Sequence, residues 1–136
     1  MVKQIVRDPL FLAQKSEPAT EADRQVIEDL TDTLKANSDR CVGMAANMIG
    51  VSKAVIIVSL GFTALVMYNP VILKHDAPYE AVEGCLSLDG ERKTTRWQTI
   101  EVAYFDSAWK KRRQKYSGQT AQIIQHEIDH LNGILI

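Results

Sequence analysis

A chain of 136 residues with 46% hydrophobic content can close one core without disulfide staples, which predicts a single domain over residues 1–136. With 16 Lys and Arg against 17 Asp and Glu the formal charge is −1, so no global field draws DNA or an anionic membrane, and specificity has to come from a site. The opening residues, Met1 to Asp8, lack the long apolar run of a secretory leader, and no stretch approaches the length needed to cross a bilayer, so a cytoplasmic protein is expected.

In chain order, Thr20 with Glu21 and Asp23 reads as a helix start, followed by Val26, Ile27, Leu30 and Leu34 at helical spacing up to Asn37. Ala54–Val58 and Ala64–Tyr68 are short, largely β-branched runs with Gly61 between them, and predict paired buried strands. Asn69-Pro70 interrupts the second strand, Val71-Ile72-Leu73 resumes it, and Asp76 to Pro78 reads as a loop. From Thr99 to Tyr104 apolar Ile100, Val102 and Tyr104 alternate with Thr99, Glu101 and Ala103, the pattern of a strand with one wet face, and a hairpin through Asp106 and Ser107 follows. After Gly118, Ile124, Ile128 and Leu131 fall at i, i+4 and i+7, with Asn132-Gly133 as a stop, which predicts a terminal helix. Strands followed by a helix argue for an α+β fold.

The terminal helix carries His126-Glu127-Ile128-Asp129-His130, an H-E-x-x-H pattern. Histidines four apart stack on one helical face, so both imidazoles reach one divalent ion, while Glu127 stands beside it to take a proton from water. The competing reading is a surface helix with incidental histidines; it is disfavoured because two of the chain's 3 histidines occupy both required positions. A catalytic site of this kind normally takes three protein ligands, and no His, Cys, Asp or Glu follows His130. The third ligand must come from upstream, with His75, Cys41, Cys85 and the carboxylates as candidates. Cys85 is preferred, because Gly84 before it permits a tight backbone path, although a buried free cysteine is also ordinary core filler. Two cysteines are too few for a disulfide framework.

Taken together, Gly43-Met44-Ala45-Ala46, Glu83-Gly84-Cys85-Leu86-Ser87 and Gln125-His126-Glu127-Ile128-Asp129-His130-Leu131-Asn132-Gly133 resemble the three ordered motifs of peptide deformylases. Asp8-Pro9 and Asn69-Pro70 also fit that family, so the likeness runs along essentially the whole chain. The resemblance implies small antiparallel β-sheets packed around a central C-terminal helix. It implies an enzyme that removes the N-formyl group from the N-terminal formylmethionine of nascent polypeptides and releases formate. By the same resemblance Cys85, His126 and His130 are the metal ligands, Glu127 is the general base, and the Leu86 backbone N–H stabilises the oxyanion. Gly43, Met44, Met48, Glu83, Gly84 and Ile123 are implied as substrate-binding residues. The ion implied is Fe2+, with Zn2+, Ni2+ or Co2+ able to occupy the same ligands. The expected partners are formylated peptides and nascent chains at the ribosome, met by a monomer.

Two departures from the family pattern stand out. Met48 occupies the position of a glutamine that supplies a second oxyanion donor, and Cys41 that of the glycine opening the first motif. A thioether cannot donate a hydrogen bond, so reduced or altered activity is expected unless the neighbouring Asn47 amide substitutes. Gln119 and Gln122, together with Ile123, are expected on the metal-facing side of the last helix, where the family is mainly apolar, and predict a more polar pocket. Gln125, Asp129, Glu83 and Ser87 are expected to orient the ligands, and Arg92 to sit near the site.

The alternative to an active enzyme is a weakly active or inactive metal-binding relative that serves as a formyl-peptide binding module. Intact Glu127 favours the enzyme and Met48 favours the module. A zinc peptidase also uses H-E-x-x-H but usually needs a downstream ligand. The basic run Lys110-Lys111-Arg112-Arg113 with Lys115 could touch ribosomal RNA, though such runs are usually solvated surface.

Overall fold

The computed structural model describes residues 1–136. A four-residue helix, α1 (Pro9–Leu12), opens the chain, with Pro9 at its first position and the Asp8 carboxylate accepting the Leu10 N–H at 3.0 Å. One turn is too short to show periodicity, and the sequence pattern did not reveal it. Thr20 starts the next helix as expected. Its hydroxyl accepts the Ala22 N–H, and the Asp23 carboxylate accepts the Thr20 N–H at 2.8 Å, so orphaned donors at the helix start are satisfied. A 3₁₀ turn, Glu21–Asp23, leads into α2 (Arg24–Ala36), which buries Val26, Leu30 and Leu34 along one face.

The strands β1 (Gly43–Ala45), β2 (Val55–Ser59), β3 (Ala64–Cys85), β4 (Leu88–Phe105) and β5 (Lys111–Ser117) form one antiparallel sheet in chain order. Val55, Ile56, Ile57 and Val58 are wholly buried, as a run of apolar residues covered on both faces requires. On β4, Ile100, Val102 and Tyr104 are buried while the residues between them are only partly so, which matches the expected alternation. The β4–β5 turn falls at Asp106–Lys110.

At Asn69 the register shifts, and its φ of 52° is the left-handed region that asparagine tolerates. The side-chain amide there accepts the Ala19 N–H and donates to the Ala19 carbonyl, so it holds Ala19 as a strand partner would. The expected loop at Asp76–Pro78 is corrected. Asp76 pairs with Thr99 and Pro78 with Trp97 inside β3. Proline is tolerated because β2 reaches along β3 only as far as Tyr68, which leaves this stretch of β3 an edge on one side.

Helix α3 (Gly118–Leu131) packs against β1, β2, β4 and β5. Its buried side carries Ile124, Ile128 and Leu131, but also Gln125, His126, Glu127 and His130. Burying that many polar groups is costly unless each finds a partner. Gln125 meets the requirement by exchanging two hydrogen bonds, both 2.9 Å, with the backbone of Trp97, and so fastens the helix to β4 instead of orienting a ligand. No helix is long and apolar enough to cross a membrane.

Gly133 ends α3 at a φ of 75°, and a Cβ added there would lie 2.3 Å from the Ala13 carbonyl oxygen. Gly133→Ala is therefore expected to cost on the order of 1–3 kcal/mol. A urea unfolding midpoint unchanged from wild type would contradict this.

Candidate metal centre

Three elements bring the site together. His126 and His130 project from consecutive turns of α3, and Cys85 comes from the end of β3, at the tip of the long β3–β4 hairpin. The Cys85 Sγ is 3.2 Å from His130 Nε2, the two Nε2 atoms are 3.2 Å apart, and all three atoms lie within 4.8 Å of one another. Of the four upstream possibilities, Cys85 is the one that converges on the histidines. His75 lies instead on the hairpin, its ring 3.7 Å from that of Trp97.

The donor set fits a divalent cation. His126 Nδ1 is 2.8 Å from Glu83 Oε1, a geometry in which the ring donates through Nδ1 and leaves the Nε2 lone pair facing its neighbours. Two imidazole nitrogens and a sulfur, packed this closely and mostly out of water, face one common space of the size a small cation fills. Burial weighs against charge on His126, but the Cys85 sulfur and the Glu83 carboxylate outweigh it and push the pKa up to about 10. His130, buried and beside His126, is pushed the other way, to about 3.

Glu127 points towards the same space, with Oε1 buried and without a hydrogen-bond partner. Burial drives its pKa up to about 7, against the pull of His126, which leaves a carboxyl able to exchange a proton near neutrality. Gly43 makes room for it. A Cβ at Gly43 would lie 2.6 Å from Ile123 Cγ2 and 3.0 Å from Glu127 Oε2, so β1 can pass this close to α3 only without a side chain.

A cavity of about 260 Å3 opens over these groups, lined by Gly43, Met48, Glu83, Gly84, Cys85, Leu86, Ile123, His126 and Glu127 among others. Gln119 and Gln122 also line it, as the sequence suggested. Met44 does not. It is wholly buried in the core, on the side of β1 away from the cavity, and the expectation that it touches substrate is corrected. Met48 sits in the 3₁₀ turn after β1, its sulfur 3.5 Å from the Ala45 N–H. Asn47 does not stand in as a donor, because it is buried outside the cavity and its amide donates to the His130 carbonyl at 2.8 Å. The Leu86 backbone N–H, in the turn after Cys85, has no acceptor within the chain. The Leu86 carbonyl accepts from Arg7, whose other nitrogen is paired with Asp89.

Arg96 is the main residue that the sequence reading missed. It is buried and grips Glu83 through both Nε and Nη2, while Nη1 reaches Asp129 at 2.6 Å. Gln122 adds a further hydrogen bond to Glu83 at 2.9 Å. Burial alone would raise the Glu83 pKa, but His126, Arg96 and Gln122 hold it down at about 2. Arg92, the expected arginine, is half-exposed and reaches only the Asp89 carbonyl. The Ser87 hydroxyl is buried and unpaired.

A model of the polypeptide deformylase family matches residues 2–136. The chain is 57% identical over 136 residues to a peptide deformylase of Clostridium beijerinckii, covering 100% of both chains. It superposes on a class I type b peptide deformylase from Acinetobacter baumannii with a TM-score of 0.89 at 32% identity, covering 99% of this chain and 97% of the other. The Met-Ala-Ser-bound form of that enzyme matches at 0.88 and 28% identity, over 99% and 96% of the chains.

Arg96→Met is expected to destabilise the protein by about 3–5 kcal/mol, because it strands two carboxylates that the guanidinium now neutralises. Chemical denaturation would reveal it, and a loss below about 1 kcal/mol would show that Arg96 is not the anchor described.

Proposed function

This chain belongs to the polypeptide deformylase family, and from that premise we propose that it is a metal-dependent hydrolase that removes the formyl group from N-formylmethionyl peptides. The observation that carries the proposal is the convergence of Cys85, His126 and His130 beside an unpaired, buried Glu127. Cys85, His126 and His130 would hold a divalent cation, which when bound supplies Lewis acidity to the formyl oxygen and lowers the pKa of water.

The remaining work falls to the chain's own groups. Glu127 accepts the proton of the attacking water as its oxygen bonds to the formyl carbon. The Leu86 N–H donates to the oxygen on which negative charge develops. When the carbon–nitrogen bond breaks, Glu127 returns the proton to the departing amine, and formate and a free N-terminus remain. Glu83, held by Arg96 and Gln122, keeps His126 in the tautomer that presents Nε2.

Ferrous iron is the ion we propose, from kinship with the family; a thiolate with two imidazoles also suits zinc, nickel and cobalt. The substrate heads polypeptides as they are synthesised, which supports a cytoplasmic monomer meeting nascent chains near the ribosome. Arg112 and Arg113 of the basic run are already paired with Asp106 and Glu101, which leaves less charge there for RNA. An inactive binding module is disfavoured, because such a module has no use for a buried carboxyl without a hydrogen-bond partner beside the candidate cation site.

Formate release from formyl-Met-Ala-Ser is expected from protein loaded anaerobically with iron, and is expected to be lost in Glu127→Gln. With an acceptor where the second oxyanion donor belongs, turnover should rise on Met48→Gln by up to about a hundredfold, the usual worth of one such donor. No formate from any metal-loaded form would refute the enzyme, and no gain from Met48→Gln would refute the missing-donor account.

The amides of Gln119 and Gln122 make the side-chain pocket more polar than a methionine side chain requires. Replacing both with leucine is expected to strengthen the preference for formyl-Met over formylated polar residues by about tenfold. An unaltered ratio of kcat/KM values between the two substrates would mean that the amides do not face the side chain.

A further inference from the structure

β1 is the outermost strand of the sheet and pairs only with β2. The Ser59 N–H donates to the Val42 carbonyl at 2.8 Å and Gly43 lies opposite Val58, so Val42 and Met44 turn their backbone polar groups towards β2. Alternate residues of an antiparallel ladder face the other way. Gly43 and Ala45 therefore direct their N–H and C=O groups at the open edge. Gly43 lines the catalytic cavity, and having no side chain it presents its backbone there.

Two sulfur atoms cover this edge. The Cys41 thiol donates to the Gly43 carbonyl at 2.8 Å, and the Met48 thioether accepts the Ala45 N–H at 3.5 Å. Both side chains line the cavity, and both stand where this chain departs from the family pattern. Burial pushes the Cys41 thiol up to about 11, so it stays protonated and serves as a donor instead of a nucleophile. Beside Gly43 stands the Glu127 carboxyl, buried and with Oε1 unpartnered; a Cβ at Gly43 would lie 3.0 Å from its Oε2. The edge carbonyl and the group that takes the proton of water thus flank one space. A peptide with its formyl carbon at Glu127 carries its backbone past Gly43, and an extended backbone meets a strand edge by donating its N–H groups to the carbonyls there.

Resting on the deformylase reading above, we propose that the Cys41 thiol stands in at the Gly43 carbonyl for a backbone N–H of the formylated peptide, and that the peptide displaces it on binding. A thiol is a weak donor, so the peptide N–H prevails in the exchange. Affinity is nonetheless lowered by the bond that is given up. Cys41 therefore acts on how tightly the peptide backbone is held and not on the bond-breaking step, which raises KM and leaves kcat.

The test measures formate release from formyl-Met-Ala-Ser by the iron-loaded chain and by its Cys41→Ala and Cys41→Ser variants, with calorimetric titration of the product peptide Met-Ala-Ser as a second readout. Cys41 is only partly buried and both replacements are smaller, so the fold accommodates them. Cys41→Ala removes the donor, and KM for the substrate and Kd for the product are each expected to fall about three- to fivefold, with kcat within about twofold of wild type. Cys41→Ser keeps a donor and strengthens it, so both constants are expected to rise about twofold. A gain that came only from added room would lower them in Cys41→Ser as well, and that result overturns the proposal. Cys41→Ala with both constants at or above wild type overturns it too, as does a loss of kcat without a change in KM. Formate release by none of the three forms sinks the deformylase reading and this proposal with it, whereas release at KM values that do not rise in the order Ala, Cys, Ser sinks only the role of Cys41.

Discussion

The Glu83 carboxylate joins the sheet to the helix and the fold to the site. It lies at the end of the β3–β4 hairpin, nearly out of water, and takes hydrogen bonds from Arg96 on the same hairpin and from Gln122 and His126 on α3. A carboxylate so placed would be an expense if any one partner were missing, since desolvation of an uncompensated charge outweighs most packing gains. With all of them present it stays ionised, and His126 is obliged to donate through Nδ1. The orientation of the second nitrogen, and hence the possibility of holding a cation at all, follows from that obligation. The same contact fixes how far along α3 the hairpin tip sits, which is what delivers Cys85 to the histidines.

A second constraint acts from the opposite side. β1 runs so near α3 that only a glycine fits at position 43, against Ile123 and Glu127. The close approach helps to cover the Glu127 carboxyl, and burial raises its pKa. Helix α3 is thus held between a strand that touches it through bare backbone and a hairpin that grips it through charge. Its buried polar residues are tolerable because both neighbours are complementary to them, and this explains why a helix with so mixed a buried face is stable.

Much of this was legible in the sequence, and the physical reasons for the rest differ from case to case. The spacing of His126 and His130 needs nothing beyond helical geometry, so the convergence of two imidazoles beside a carboxyl could be read directly, and the alternation from Thr99 to Tyr104 marked its own strand. Arg96 could not be read, because its relation to Glu83 exists only in the hairpin register, where Glu83 lies opposite Arg92 and the long Arg96 side chain reaches along the ladder. Taking Asp76–Pro78 for a loop removed that register from view. The proline was a fair signal of a break, and it misled because the strand there has a free edge. Met44 and Met48 are four apart and chemically identical, and only their place on β1 and on the turn after it sends one to the core and the other to the cavity.

The positions where this chain departs from the family pattern are not scattered. Cys41, Met48, Gln119 and Gln122 all line one cavity, and none of them belongs to the cluster of Cys85, His126 and His130. Changes confined to a pocket wall act on how well the substrate and its developing charge are received. Of the four, only Gln122 also touches the Glu83–Arg96–His126 arrangement. Gln122 shows how the two kinds of role meet in one side chain. Its N–H supports Glu83, and through it His126, while the rest of the amide faces the space for the substrate. A residue in that position links the lining of the cavity to the carboxylate that holds His126, so the cavity wall cannot change there without also disturbing the histidine.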